Sequence, residues 1–64
     1  MKIGSFLRQV RERANLSQRE LDAEMGVTQS AVAKIERRDD VLLSTQIAYV
    51  KAAGARYDIE VDFD

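Results

Sequence analysis

Apolar residues recur along most of this chain with a helical period and then, over the last eight residues, switch to strict alternation. Ile3, Phe6, Leu7 and Val10 fall at i, i+3, i+4 and i+7, with Arg8, Arg11, Glu12 and Arg13 off that stripe, which predicts a helix over residues 3–14. Asn15 and Leu16 break the pattern. A second helix is predicted over residues 18–25, with Leu21 and Met25 inward. Ser17 and Glu20 have the spacing of a capping box, in which each side chain satisfies a backbone N–H that the first turn leaves free. Gly26 ends this helix in the left-handed conformation that a Cβ disfavours.

A third helix is predicted over residues 29–37, capped by Thr28. Val32 and Ile35 face its core side, flanked by Val27 and Ala31, and Gln29, Ser30, Ala33, Lys34 and Arg37 remain outside. Arg37, Arg38, Asp39 and Asp40 then form a charged loop. A fourth helix is expected over residues 45–53, capped by Ser44 and closed by Gly54, with Leu42, Leu43, Ile47 and Val50 as its core face. In the tail, Tyr57, Ile59, Val61 and Phe63 alternate with Asp58, Glu60, Asp62 and Asp64, which predicts a strand. A lone strand leaves its ladder groups unpaired. The expected partner is the same strand of a second copy, antiparallel across a two-fold axis, so these four apolar residues are the dimerisation candidates. The expected fold class is mainly α: a four-to-five-helix bundle over residues 1–54 with one C-terminal β-strand, residues 55–64, pairing between subunits.

Composition narrows the chemistry. Sixty-four residues make one small domain with little room for a core. The chain has no cysteine and no histidine, which removes disulfides, the usual zinc ligands and the commonest general base. No nucleophile–base pair or phosphate-binding glycine loop is present, so neither an enzyme nor a cofactor is expected. Asp58, Glu60 and Asp62 share one face of the predicted strand and read as a solvated face, suited to a basic partner, rather than as a cation site. No apolar run approaches the roughly 20 residues of a membrane span, and the N-terminus turns charged too early for a signal peptide. A cytoplasmic location is therefore expected. The net charge of −1 hides an asymmetry: residues 1–38 hold eight basic and five acidic side chains (net +3), and residues 39–64 hold two basic and six acidic (net −4). The first part suits phosphates and the second does not.

Two short helices joined by a three-residue turn, residues 26–28, with a polar and basic outer face on the second, have the layout of a helix-turn-helix offered to the major groove of DNA. Gln29, on the predicted first turn, suits adenine, whose N6 and N7 a glutamine amide can engage together. Thr28 and Ser30 are short and allow close backbone approach, Ala33 can touch a thymine methyl, and Lys34 can take guanine or a phosphate. Gln18, at the start of the second helix, is a phosphate candidate, and Arg19, Arg37 and Arg38 flank it as further phosphate candidates.

The run LSQRELDAEMGVTQSAVAKIERR, residues 16–38, closely resembles the helix-turn-helix of Cro/repressor-type (XRE family) regulators, and the likeness extends over residues 3–50. The resemblance implies that Gln18 grips a phosphate and that Thr28, Gln29, Ser30, Ala33 and Lys34 face the bases of a palindromic operator in double-stranded DNA. Residues 37–63 look like the end of small antitoxin regulators of the HipB and HigA kind, which implies a homodimer that binds a cognate toxin and represses its own operon. A phage or host repressor without a toxin, and an antirepressor-like protein-interaction module that does not bind DNA, are the alternatives. One position departs from the family pattern: Asp22 stands where alanine is usual, on the inner side of helix two, and needs a partner there, with Arg19 or Lys34 as the expected ones.

Overall fold

The computed structural model describes residues 2–58 and 61–62. These residues contain four helices: α1 (Ile3–Arg13), α2 (Gln18–Met25), α3 (Ala31–Glu36) and α4 (Leu43–Ala52). Helix α2 has the predicted limits, and Ser17 and Glu20 form both bonds of the capping box, Glu20 N–H to Ser17 Oγ at 3.0 Å and Ser17 N–H to Glu20 Oε1 at 2.8 Å. Three helices end the same way. Asn15, Gly26 and Gly54 take positive φ angles of 58°, 69° and 79°. In each case the N–H one residue further on reaches back to the carbonyl five residues earlier, from Leu16 to Arg11, Val27 to Asp22 and Ala55 to Val50. These are Schellman closures, which satisfy the last carbonyls of a helix.

Leu7, Leu21, Val32, Tyr49 and Val50 form the buried core, one or two from each helix, and Ile3, Phe6, Met25 and Ile35 pack around them. The N-terminus of α1 has no side-chain cap. Its free N–H groups are taken instead by the loop after α3, from Gly4 to the Arg38 carbonyl at 3.1 Å and from Ile3 to that of Asp39 at 3.5 Å. Gly4 permits this approach, because a Cβ there would lie 2.8 Å from the Arg38 oxygen and closer still to the Glu36 carbonyl.

Glu36, at the end of α3, ties the four helices together. Its carboxylate accepts from Arg11 of α1 (Nε at 2.7 Å, Nη2 at 3.2 Å), from Gln18 Nε2 of α2 at 3.1 Å and from the Tyr49 hydroxyl of α4 at 2.5 Å. Arg11 also donates through Nη1 to the Leu16 carbonyl at 2.8 Å. The Glu36 side chain is only 4% exposed and that of Arg11 11%, so this is a desolvated pair in which the carboxylate accepts four hydrogen bonds, the condition under which a buried charge is tolerated. Burial pushes the Glu36 carboxyl up, but the hydrogen bonds from Arg11, Tyr49 and Gln18 outweigh it and hold the group below the usual carboxylate value. Burial, reinforced by the bond to Glu36, pushes the Tyr49 hydroxyl above its ordinary range.

The core face of α4 differs from the predicted one. Gln46, Tyr49 and Val50 are buried, whereas Leu42, Leu43 and Ile47 are exposed, Leu42 to 76%. The polar partners select this face. Tyr49 must reach Glu36, and Gln46 donates to the Val41 carbonyl at 2.8 Å while accepting from the Tyr57 hydroxyl at 2.6 Å. The helix also starts at Leu43 without a side-chain cap, so Ser44 lies inside it. Val27 is likewise exposed rather than flanking the core.

The tail differs as well. No strand is present among its described residues; a strand needs a ladder partner, and one chain supplies none. Tyr57, predicted to serve a second subunit, is engaged by its own: besides the bond to Gln46, its ring packs on Phe6 with centroids 6.3 Å apart. Val61 is 72% exposed, and Ile59 and Phe63 lie outside the described residues. No helix of the described residues is long and apolar enough to cross a membrane.

The Glu36 carboxyl is lowered in the folded state, so its contribution to stability is complete above the unfolded value of about 4.3 and is lost as pH falls through the folded value. Glu36→Gln should destabilise the domain by about 3 kcal/mol at pH 7. Thermal melts followed by circular dichroism from pH 7 to pH 3 should show wild type and variant converging toward acid. A constant difference across that range would mean that the charge of Glu36 is not what binds the helices.

Candidate nucleic-acid interface

The segment between α2 and α3 runs over residues 26–30 and is longer than the predicted turn. Helix α3 begins at Ala31, so Gln29 lies before the helix rather than in its first turn, and Thr28 is not its cap. Ser30 occupies the cap position with φ 76°, and its own hydroxyl caps nothing. A left-handed serine is strained, by about 1–2 kcal/mol. The compensation comes from α2: the Asp22 carboxylate accepts from the Ser30 N–H at 3.2 Å and from the Val32 N–H at 2.9 Å. The carboxylate thus caps α3 from a neighbouring helix and meets the positive end of its dipole. Asp22 is 6% exposed, and its partners are these two backbone groups, not Arg19 or Lys34.

Arg19, one turn before Asp22 on α2, reaches the same segment. In the amide orientation that satisfies both groups, the Gln29 carbonyl accepts from Arg19 Nε at 3.3 Å and from Nη2 at 2.5 Å. Arg19 and Asp22 together hold the entry to α3 from one side. Thr28, Gln29, Ser30 and Lys34 are exposed and Ala33 is half-buried. Among the described residues Lys34 has no ion-pair partner. Three of the five base-reading candidates therefore belong to the loop that enters α3, and Ala33 and Lys34 belong to the helix itself.

The phosphate candidates separate. Gln18 and Arg37 line one shallow polar cleft of about 350 Å³ with Arg8, Arg11, Ala33 and Glu36. Gln18 uses its amide nitrogen on Glu36, so it positions α3 as well as facing the cleft. Arg19 is occupied by Gln29. Arg38 donates to the Asp40 carbonyl at 3.3 Å and lines a different, more apolar pocket with Ile35, Val41, Leu42 and Thr45. Arg8 was not singled out from the sequence. Its helical position off the apolar stripe was legible, but its nearness to Gln18 and Arg37 depends on how α1 crosses α2 and α3.

Asp22→Ala should leave the Ser30 and Val32 amides without a partner. We expect a loss of about 1–2 kcal/mol in denaturant unfolding and a selective rise in hydrogen exchange at Ser30 and Val32. Unchanged exchange at those two amides would show that the cap does not hold the start of α3.

The helix-turn-helix family matches residues 7–49, about two thirds of the chain. Neither the curated proteins nor the solved structures contain a match. The matched span runs from the core residue Leu7 to Tyr49, the last member of the Glu36 network, and encloses the capped α2, the Asp22-held turn and the exposed start of α3. The chain therefore belongs to the helix-turn-helix family, in its Cro/repressor type, whose domains are DNA-binding regulators of transcription.

Proposed function

We propose that this protein is a sequence-specific transcriptional repressor that binds a palindromic operator as a homodimer. The observation that carries the reading is the start of α3, where Thr28, Gln29 and Ser30 are exposed on a segment whose backbone Asp22 holds from behind. A base reader has to be presented in a fixed pose, and this segment is fixed without any of its outward side chains being buried. Gln29, Ala33 and Lys34 read base edges, with Thr28 and Ser30 beside them, Gln18 and Arg37 serve the backbone, and Arg19 orients Gln29. Asp22 would favour a module that does not bind DNA if it were an unpaired charge in the helix pair. As a filled cap it removes that ground.

The homodimer is expected to use Ile59, Val61 and Phe63, with Tyr57 committed to its own subunit, and to space its recognition helices by about one helical turn, roughly 34 Å. The acidic second part of the chain, net −4 over residues 39–64, supports a further role as the antitoxin of a toxin–antitoxin pair, offering a negative surface to a basic toxin while the first part represses the operon.

A gel-shift titration against the promoter upstream of the gene, with unrelated competitor DNA, tests the reading. A discrete, competitor-resistant shift is expected, and Gln29→Ala should lose on the order of 1–3 kcal/mol of discrimination while non-specific binding persists. Equal loss of both would remove Gln29 as a base reader. In sedimentation, Ile59→Asp combined with Val61→Asp should give a monomer. A surviving dimer that Leu42→Asp with Ile47→Asp abolishes would move the interface to α4.

A further inference from the structure

The geometry points to a phosphate seat formed by three helices, in which Arg8 of α1 is a principal contact and Arg38 takes no part. This inference rests on the DNA-binding reading and names how the same surface holds the nucleic-acid backbone. The cleft between α1, the start of α2 and the outer face of α3 is walled by Arg8, Arg11, Gln18, Glu36 and Arg37, with the small Ala33 leaving it open. Two of those charges cancel. Glu36 already accepts from Arg11, Gln18 and Tyr49, and Arg11 is held against it at 2.7 Å.

The remaining charge is positive. Arg37 is exposed and in no ion pair among the described residues. Among the described residues Arg8 is tied only to Glu12, at 3.5 Å on the open surface, and such exposed pairs are weak and readily exchanged. The cleft also borders the first turn of α2, whose free N–H groups and dipole favour an anion. Glu20, the one acidic residue of that turn, is turned back onto Ser17 by the capping box. Two arginines and a glutamine amide around a shallow opening fit a phosphodiester, which guanidinium groups bind through paired N–H donors. Arg38, though next to Arg37 in sequence, has its Nε on the Asp40 carbonyl beside Leu42.

The test is fluorescence anisotropy with a non-specific double-stranded 20-mer over a range of salt concentrations. Arg8→Ala and Arg37→Ala should each reduce the slope of log affinity against log salt by about one and weaken binding roughly tenfold at 0.1 M salt, equally for all sequences. Arg38→Ala should change neither, and Arg8→Lys should restore the slope. An unchanged slope for Arg8→Ala, or an equal effect of Arg38→Ala, overturns the assignment. If the wild-type protein binds no DNA, the functional reading fails separately. The seat is then decided by titrating inorganic phosphate and following the side-chain NMR signals of Arg8, Gln18, Arg37 and Arg38. Saturable shifts at the first three alone support it, and their absence rejects it.

Discussion

The carboxylate of Glu36 is the point on which the architecture depends. Four short helices of 6 to 11 residues cannot be stable alone, since isolated helices of this length are marginal in water. The apolar core that joins them is also small, with five buried hydrophobic residues among those described. A buried carboxylate that needs donors from α1, α2 and α4 constrains all three crossings at once, because a displaced helix would leave a charge unpaired in a desolvated site. Apolar contacts alone are less exacting, since they tolerate sliding and repacking. The burial of Tyr49 and Gln46 in place of Leu43 and Ile47 follows from that demand.

The same logic operates at the recognition segment. Helix α3 carries no local cap, and its entry residue is left-handed without being glycine. Its order comes from α2, through Asp22 on two backbone N–H groups and Arg19 on Gln29. Helix α2 therefore supplies both Gln18, bonded to Glu36, and the carboxylate that supports the loop before α3, so the two are joined through one helix. The Glu36 carboxylate, through Gln18 and Arg11, anchors the far end of that body. Asp22, Glu36 and Glu20 each accept from donors of the domain itself, and the exposed Lys34 and Arg37 have no acidic partner among the described residues.

Local rules written within a few residues were legible in the amino-acid sequence. The limits of α2, its capping box, the left-handed Gly26 and the closing Gly54 depend on hydrogen bonds spanning five residues or fewer, and the apolar stripe of α1 and the helix-turn-helix order are patterns along one continuous run, so the chain carries them in readable form. The family of the candidate site was legible for the same reason, since the motif is one contiguous run. What remained hidden involves partners far apart in sequence. Asp22 meets Ser30 and Val32, Glu36 meets Arg11 and Tyr49, Tyr57 meets Gln46, and Gly4 meets the Arg38 carbonyl. None of these pairings has a periodic signature, and the first three overrode a local expectation: Thr28 as cap, Leu43 and Ile47 as core, Tyr57 as an intermolecular residue. The sequence by itself determined which segments become helices and that the second and third form a DNA-reading pair. The tertiary structure alone decided which face of α4 is buried, where α3 begins and which arginines share a cleft, because buried charges and backbone groups are satisfied only by what the fold brings within hydrogen-bonding distance.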